Sequence, residues 1–450
     1  MQQNKTASQR KTISPVCWVP TAYFAMGLPF IAINLVSVFM FKDLGISDTQ
    51  IAFWTSLIMM PWTLKFLWSP FLEMYRTKKF FVLITELLSG VLFGVVAFSL
   101  CFDYFFAISI STMAVIAFSG ATHDIACDGV YMAELNKEDQ AKYIGVQGAF
   151  YNVAKLVANG GLVAMAGALA EHFGAIEGAS IDANKGAYSS AWMIIFGVIA
   201  VIMVLIGIYH IKMLPSTQVP LTTKKTASEV RHELVAVIAD FFTKKHILYY
   251  ICFIILYRLA EGFIMKIAPL FLRASRDVGG LGLSLTEIGT LNGIFGSAAF
   301  VLGSLLAGIY VSKFGLKKTL FTLCCIFNLP FVAYTFLAVT QPTNVYLIGT
   351  CITMEYFGYG FGFVGLTLFM MQQIAPGKHQ MSHYAFASGI MNLGVMLPGM
   401  ASGYLSDLLG YRNFFIYVLI ATIPAFLITY FIPFTYDDSK NNNIKNNDYE

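Results

Sequence analysis

Apolar residues in this chain run in long blocks, most of about 20 residues or more, separated by short polar connections. A helix of about 20 mainly apolar residues crosses the hydrocarbon core of a bilayer, and inside lipid every backbone polar group must be satisfied internally. The pattern predicts twelve such helices, at 15–41, 50–71, 80–101, 105–135, 141–171, 188–213, 247–272, 285–312, 317–339, 344–375, 379–409 and 412–434. They are numbered helix 1 to helix 12 below. Stretches beyond about 25 residues imply tilt or ends that emerge into water. Residues 214–246 break the rhythm with Pro215, Pro220, a Thr/Lys run and an amphipathic piece from Glu229 to Phe242. The expected organisation is therefore an N-terminal segment (1–14), a six-helix bundle (15–213), a polar linker (214–246), a second six-helix bundle (247–436) and a tail (437–450). The tail is rich in Asn, Asp and Lys and lacks apolar residues to offset the entropy of ordering, so it is expected to be disordered. Helix 1 follows Lys5, Arg10 and Lys11 with no small-residue cleavage site after it, and is expected to persist.

Composition agrees with an all-α membrane protein. With 57% hydrophobic and 12% charged residues and a mean hydropathy of +0.68, a water-soluble fold is excluded. The net charge of +4 is small and its basic residues scattered, which excludes nucleic acid as a partner. The seven cysteines form no CxxC or Cys/His spacing and are expected to be packing thiols, with no metal and no cofactor. An even number of helices puts both termini on one side. Twenty of the 29 basic residues fall on that side and five on the other, so the positive-inside rule places both termini in the cytoplasm. Lys65, Lys155, Arg258 and Lys266 fall within the spans.

Every third helix ends alike. Helices 2, 5, 8 and 11 close on Ser69-xxx-Glu73-xx-Arg76, Gly167-xxx-Glu171-xx-Gly174, Gly308-xxx-Ser312-xx-Gly315 and Gly403-xxx-Asp407-xx-Gly410. A small residue permits close backbone approach, and the final Gly a tight turn. Because three is odd, successive units enter from opposite faces, giving inverted triplets nested in two parallel halves, the architecture of major facilitator transporters. The segment from Gly308 to Lys318, with Lys313 and Lys317, resembles that superfamily's loop signature, with Ser312 in place of the acid. The first-half loop keeps Glu73, Arg76, Lys78 and Lys79 but lacks the Gly. Lys65, Glu73, Arg76, Lys313, Lys317 and Asp407 are the expected gating or structural residues.

Ionisable residues inside a bilayer are costly and usually face a cavity. On helix 4, Asp124 and Asp128 lie one turn apart on one face, with Tyr131 continuing the stripe and His123 about 100° away. Two nearby carboxylates in a dry cavity suit proton carriage; the alternative is a pair satisfied by neighbouring donors or by Lys155. Helix 5 carries Gln147, Tyr151, Lys155 and Asn159 at steps of four, with Asn152 alongside. Either Lys155 meets an anionic ligand group on a water-filled path, or it partners Asp124 or Asp128. On helix 7, Arg258 and Glu261 are three apart and able to pair, with Lys266 further on. Glu355 stands among aromatics and glycines on helix 10. Glu261 and Glu355 join the aspartates as candidate proton sites. Lys155, Arg258, Lys266, Tyr151, Asn152, Tyr257, Tyr356 and Asn34 are candidate substrate contacts. Lys65 has an alternative reading as a residue that snorkels to the surface.

Gly27-Leu-Pro29, the run Leu64-Lys65-Phe-Leu-Trp68-Ser69-Pro70, Asp124-Ile-x-x-Asp128, Leu256-Tyr257-Arg258-Leu-x-Glu261 and Glu355 together resemble the AmpG-type muropeptide permease family, related to acetyl-CoA transporters within the major facilitator superfamily. The family usually has Gln where His123 stands, and some members carry two further C-terminal helices. The resemblance implies a proton-coupled symporter of the bacterial inner membrane that imports anhydro-muropeptides, with Lys65, Asp124, Asp128, Arg258, Glu261 and Glu355 as the shared polar residues. An importer of another amino-sugar, peptide-bearing or anionic solute is the alternative, and a non-transporting sensor a second one. The expected partners are a small-molecule substrate, protons and the lipid bilayer, with the chain monomeric. No HExxH, GxSxG or Walker-type motif is present, so an enzyme is not expected.

Overall fold

The computed structural model describes residues 13–68, 72, 77–135, 137–176, 179–216, 227–377 and 379–436. Glu73, Arg76 and the tail lie outside the described residues. Nine stretches among the described residues are long and apolar enough to cross a membrane. One of them, Ser382–Tyr430, holds two helices divided at Gly410, whose backbone is left-handed (φ 70°). Helices 2 and 10 complete the set of twelve.

Helix 1 spans Pro15–Asp43, helix 2 covers 48–67, helix 3 spans Lys78–Ser99, helix 4 spans Phe105–Glu134, helix 5 covers 137–172 and helix 6 spans Ile181–Met213. A linker helix, Ala227–Thr243, follows. In the second half, helix 7 spans Ile247–Arg273, helix 8 covers 285–314, helix 9 spans Leu316–Thr340, helix 10 covers 345–374, helix 11 covers 380–409 and helix 12 covers 411–430. The end carrying residues 13 and 436 is called the termini end, and the opposite one the far end. Helices 2, 6, 8 and 10 start at the far end, each on a polar side chain that accepts from an otherwise unpaired first-turn N–H: Ser47, Ser180, Ser284 and Asn344. Ser284 and Glu287 form a reciprocal capping box.

The packing repeats in two halves. Helix 1 lies on helix 5 as helix 7 lies on helix 11, and the halves meet where helix 2 packs on helix 11 and helix 5 on helix 8. Each such pair is exchanged by a twofold relation between the halves. The small residues of the repeated motif explain two of these contacts. A Cβ on Gly167 would fall 2.9 Å from the Thr286 hydroxyl of helix 8, and one on Gly403 would fall 2.5 Å from the Asp48 carbonyl of helix 2. The closest crossing is Gly160 against Gly293, where a Cβ on Gly293 would lie 2.0 Å from the Gly160 Cα. Both glycines sit in wide i→i+5 turns, Leu156–Leu162 and Gly289–Gly296. Large apolar side chains such as Leu205, Leu305, Ile309 and Leu408 point outward, as a lipid-facing surface requires.

Several elements differ from the expected ones. Helix 2 ends in a tight turn at Lys65–Leu67, which carries Lys65 inward. Helix 7 breaks at Arg258 between Ile247–Tyr257 and Leu259–Arg273.

Candidate functional site

Between the halves lies a cavity of about 200 Å³, lined by Phe30, Trp62, Lys65, Asp124 and Tyr151 from the first half and Ser388 and Asn392 from the second. Helices 1, 2, 4, 5 and 11 therefore build it. Helices 7 and 10, which carry the candidate contacts Tyr257, Arg258, Lys266 and Tyr356, supply none of its lining side chains. Lys65 Nζ stands 3.5 Å from Asp124 Oδ2. The lysine is about one-third exposed and the aspartate nearly buried, and the other carboxylate oxygen has no partner among the described residues. Phe30 and Trp62 meet edge to face, with centroids 5.0 Å apart. The arrangement offers one cation, one carboxylate and flat apolar faces within a single pocket.

The two helix 4 aspartates are not equivalent. Asp128, one turn toward the termini end, accepts from the Tyr23 hydroxyl at 2.8 Å and does not line the cavity. Asp124 pairs with Lys65, so the reading in which Lys65 only snorkels does not describe this arrangement. Lys155 is no partner of either aspartate. Its ammonium lies 4.9 Å from the Phe300 ring, 5.3 Å from Tyr356 and 5.8 Å from Tyr359. A cation held over aromatic faces is attracted by their quadrupoles, and this one ties helix 5 to helices 8 and 10 across the interface.

Arg258 and Glu261 pair within helix 7, Nε donating at 2.6 Å and Nη2 to the second oxygen, with the guanidinium over Phe363. The within-helix pairing, three residues apart, is the one observed. Glu355 is nearly buried. Tyr257 donates to the Gly362 carbonyl at 2.9 Å and is fully buried, so it does not meet the cavity. Asn152 donates to the Gly148 carbonyl. Lys313 lies over Phe314 and Lys317 over Phe434, both at the termini end.

Lys266 is 1% exposed and donates to the Asn34 carbonyl at 3.0 Å and the Thr55 carbonyl at 3.4 Å. The Asn34 amide donates to Phe30 of its own helix. Both residues were expected to contact substrate; here they join helix 7 to helices 1 and 2 on the far side of the cavity. Beyond them, further latches close the far end. Arg273 donates to Asp43 at 2.7 Å and to the Tyr188 hydroxyl, while Trp192 donates to Asp43 at 3.0 Å. Asp48 accepts from Lys42 and from Tyr411, and Thr49 donates to Asp407. The turn between helices 1 and 2 is thus held through Asp43 to helix 7 and through Asp48 to helix 12. Of these residues only Asp407 was singled out from the sequence.

A second buried cluster also escaped. Glu86 of helix 3 is 0% exposed, with His123 Nε2 at 3.1 Å and His210 Nδ1 at 2.8 Å. A lone glutamate inside the apolar block of helix 3 was the available signal. Among the described residues, no group of three or more His, Cys, Asp or Glu is arranged to hold a metal ion.

A family model described as the Major Facilitator Superfamily matches residues 21–375 and 281–447. The anhydromuropeptide permease of Escherichia coli (strain K12) is 22% identical over 414 residues, covering 90% of this chain and 77% of that one. A putative transporter AmpG 4 of Rickettsia felis is 23% identical over 424 residues, covering 90% and 93%. The expected resemblance to AmpG-type permeases is borne out at this level. Among solved structures, a nucleoside transporter, NupG, superposes with a TM-score of 0.71 at 12% identity over 93% of this chain and 99% of that one. A D-xylose-proton symporter gives 0.70 at 13% identity over 94% and 98%. These two share its fold. The chain is a multi-pass membrane transporter, not an enzyme, and belongs to the Major Facilitator Superfamily.

Proposed function

We propose that this chain imports anhydro-muropeptides, or a closely related solute joining amino sugar and peptide, across the bacterial cytoplasmic membrane by alternating access coupled to protons. The observation that carries the reading is the cavity in which the Lys65–Asp124 pair stands beside Phe30, Trp62 and Tyr151. Apolar ring faces suit pyranose rings, and an ammonium suits the peptide carboxylates. The similarity to proteins named as anhydromuropeptide permeases supports the same substrate class.

Under the positive-inside rule the termini end is cytoplasmic. The far-end latches then close the periplasmic side, and the cavity lies on their cytoplasmic side. When the cavity faces the periplasm, a proton taken up by Asp124 removes its charge and frees Lys65 for a substrate carboxylate. After the switch the proton leaves Asp124, which reclaims Lys65 and expels the substrate. The described pairing is the state after release. In this reading Lys65 takes the ligand-binding role considered for Lys155, Lys155 secures the half-to-half interface, and Asp128, held by Tyr23, stays apart from the cavity.

The test is uptake into proteoliposomes of the full chain. Anhydro-muropeptide should accumulate under an inward proton gradient, while free amino sugar and free peptide should not. Equal uptake with and without the gradient would refute coupling, and accumulation of free sugar alone would refute the substrate class.

A further inference from the structure

Glu86, His123 and His210 meet in the interior of the first half, on helices 3, 4 and 6, all three at most 3% exposed. The His210 ring touches Glu86 through Nδ1, at 2.8 Å from Oε1 and 3.0 Å from Oε2. Its Nε2 lies 2.8 Å from the hydroxyl of Thr21 on helix 1. That hydroxyl also lies 3.2 Å from the Trp18 carbonyl, to which it donates. The charged side chains on the packed elements are engaged elsewhere. On helix 3, Lys78 donates to the Gly129 carbonyl and Lys79 to the Ile211 and Leu214 carbonyls. On helix 4, Asp124 pairs with Lys65 of helix 2, Asp128 accepts from Tyr23 of helix 1, and Cys127 is buried. On helix 6, Tyr209 donates to the Cys17 carbonyl. No Lys or Arg bond to Glu86 is found among the described residues.

A carboxylate with no exposure and no cationic neighbour other than imidazole is costly unless an imidazole is charged or the carboxyl itself protonated. The hydrogen bonds accommodate both charge states of the ring. A threonine hydroxyl has one hydrogen. If His210 is neutral with its proton on Nδ1, Nε2 accepts that hydrogen and the Trp18 carbonyl keeps only the Ala22 N–H. If His210 is doubly protonated, Nδ1–H serves Glu86, Nε2–H serves the Thr21 oxygen, and Thr21 O–H serves Trp18. A proton added at Nε2, together with rotation of the Thr21 hydroxyl hydrogen toward Trp18, converts the first pattern into the second, so the site can bind or release a proton without moving a heavy atom.

We propose that Glu86, His210 and His123 form a proton-binding site separate from the transport cavity, loaded from termini-side water through the half-buried Thr21. Its function, which rests on the proton-coupled reading above, is to report cytoplasmic acidity to the cavity. His123 precedes Asp124 on helix 4, so a positive charge retained on the cluster repels the proton that Asp124 must take up from the periplasm to start the next import cycle. Acidification of the cytoplasm then slows import and limits the proton load that import brings.

The first test needs no substrate. In the full chain with ¹⁵N-labelled histidine, the ring resonance lost in His210→Asn should pass from imidazolium to imidazole as pH rises. Glu86→Gln, which keeps shape and removes charge, should weaken proton binding at that ring by about tenfold. A His210 ring that keeps one charge state throughout, or a transition unmoved by Glu86→Gln, overturns the site. The second test is anhydro-muropeptide uptake at varied internal pH. Uptake by the natural sequence should fall as the lumen is acidified, and uptake by His210→Asn should not. If both respond alike, the regulatory role is wrong. If the natural sequence takes up none, the proposed transport function fails while the titration still decides the site.

Discussion

At the scale of single residues, the Lys65–Asp124 pair separates binding from coupling. Asp124→Asn imitates the protonated carboxyl, so it should abolish gradient-driven accumulation, by about tenfold or more, yet leave exchange at equal pH largely intact. Lys65→Gln should weaken binding of an anionic muropeptide by about tenfold, the value of one modest ionic contact, and Lys65→Arg should restore most of it. Equilibrium binding to the solubilised protein and counterflow in vesicles check both, and equal losses for an uncharged analogue would assign Lys65 a structural role. The helix 7 pair was legible before the structure, because Arg258 and Glu261 are three apart and neighbours on any helix. The partner of Lys155 was not. Phe300, Tyr356 and Tyr359 lie far along the chain, and spacing within one helix carries no information about which ring another helix will present. The same holds for Glu86 and His210: each looks like an isolated polar residue in an apolar block until helices 3 and 6 are packed.

At the scale of elements, the far end is closed by side-chain pairs and close glycine crossings laid over one apolar cluster that runs through both halves, with Phe39, Phe41, Phe271 and Leu285 among its buried members. Gly293→Leu places a side chain where even a Cβ has only 2.0 Å to the Gly160 Cα, so helices 5 and 8 cannot approach and the far end should stay open. A cysteine placed at Leu285, 2% exposed, should then react with a membrane-impermeant thiol reagent from outside in most molecules, where the same cysteine in an otherwise unchanged chain resists; unchanged protection would show that the crossing is not the closing contact. The Asp43–Arg273 pair gives a second handle. Asp43 is 2% exposed at its side chain, and removing one partner from such a pair costs about 3 kcal/mol. Arg273→Gln should lower thermal stability in detergent accordingly, and adding Asp43→Asn should recover part of the loss. Additive losses would mean the two residues act independently. The repeated helix-end motif was readable from the sequence because its requirements are local: Gly174, Gly315 and Gly410 all have positive φ where turns were expected. The break at Arg258 was not, having neither proline nor glycine at the break itself.

At the scale of the whole molecule, function depends on the two halves closing alternately at opposite ends. The twelve-helix pattern and its division into halves followed from hydropathy and parity alone, since a bilayer imposes the helix and its length. Which end is closed is a matter of tertiary contacts that no span of sequence encodes. The described contacts place closure at the far end, where Thr49 of helix 2 bonds Asp407 of helix 11. If alternating access is the mechanism, helix 2 must leave helix 11 there once per cycle. With the exposed Cys17, Cys101 and Cys252 replaced by serine, Thr49→Cys and Asp407→Cys should be joined by a short bifunctional methanethiosulfonate, which forms a reducible disulfide to each thiol with methanesulfinate leaving. Joined protein should bind substrate added from the termini side and transport none, and reductive cleavage should return uptake to nearly the uncross-linked rate. Each single-cysteine protein treated in the same way should transport normally, which separates tethering from chemical damage. Continued uptake by fully joined protein would mean that helices 2 and 11 do not part at this end, and the rocking of one half against the other would have to be abandoned.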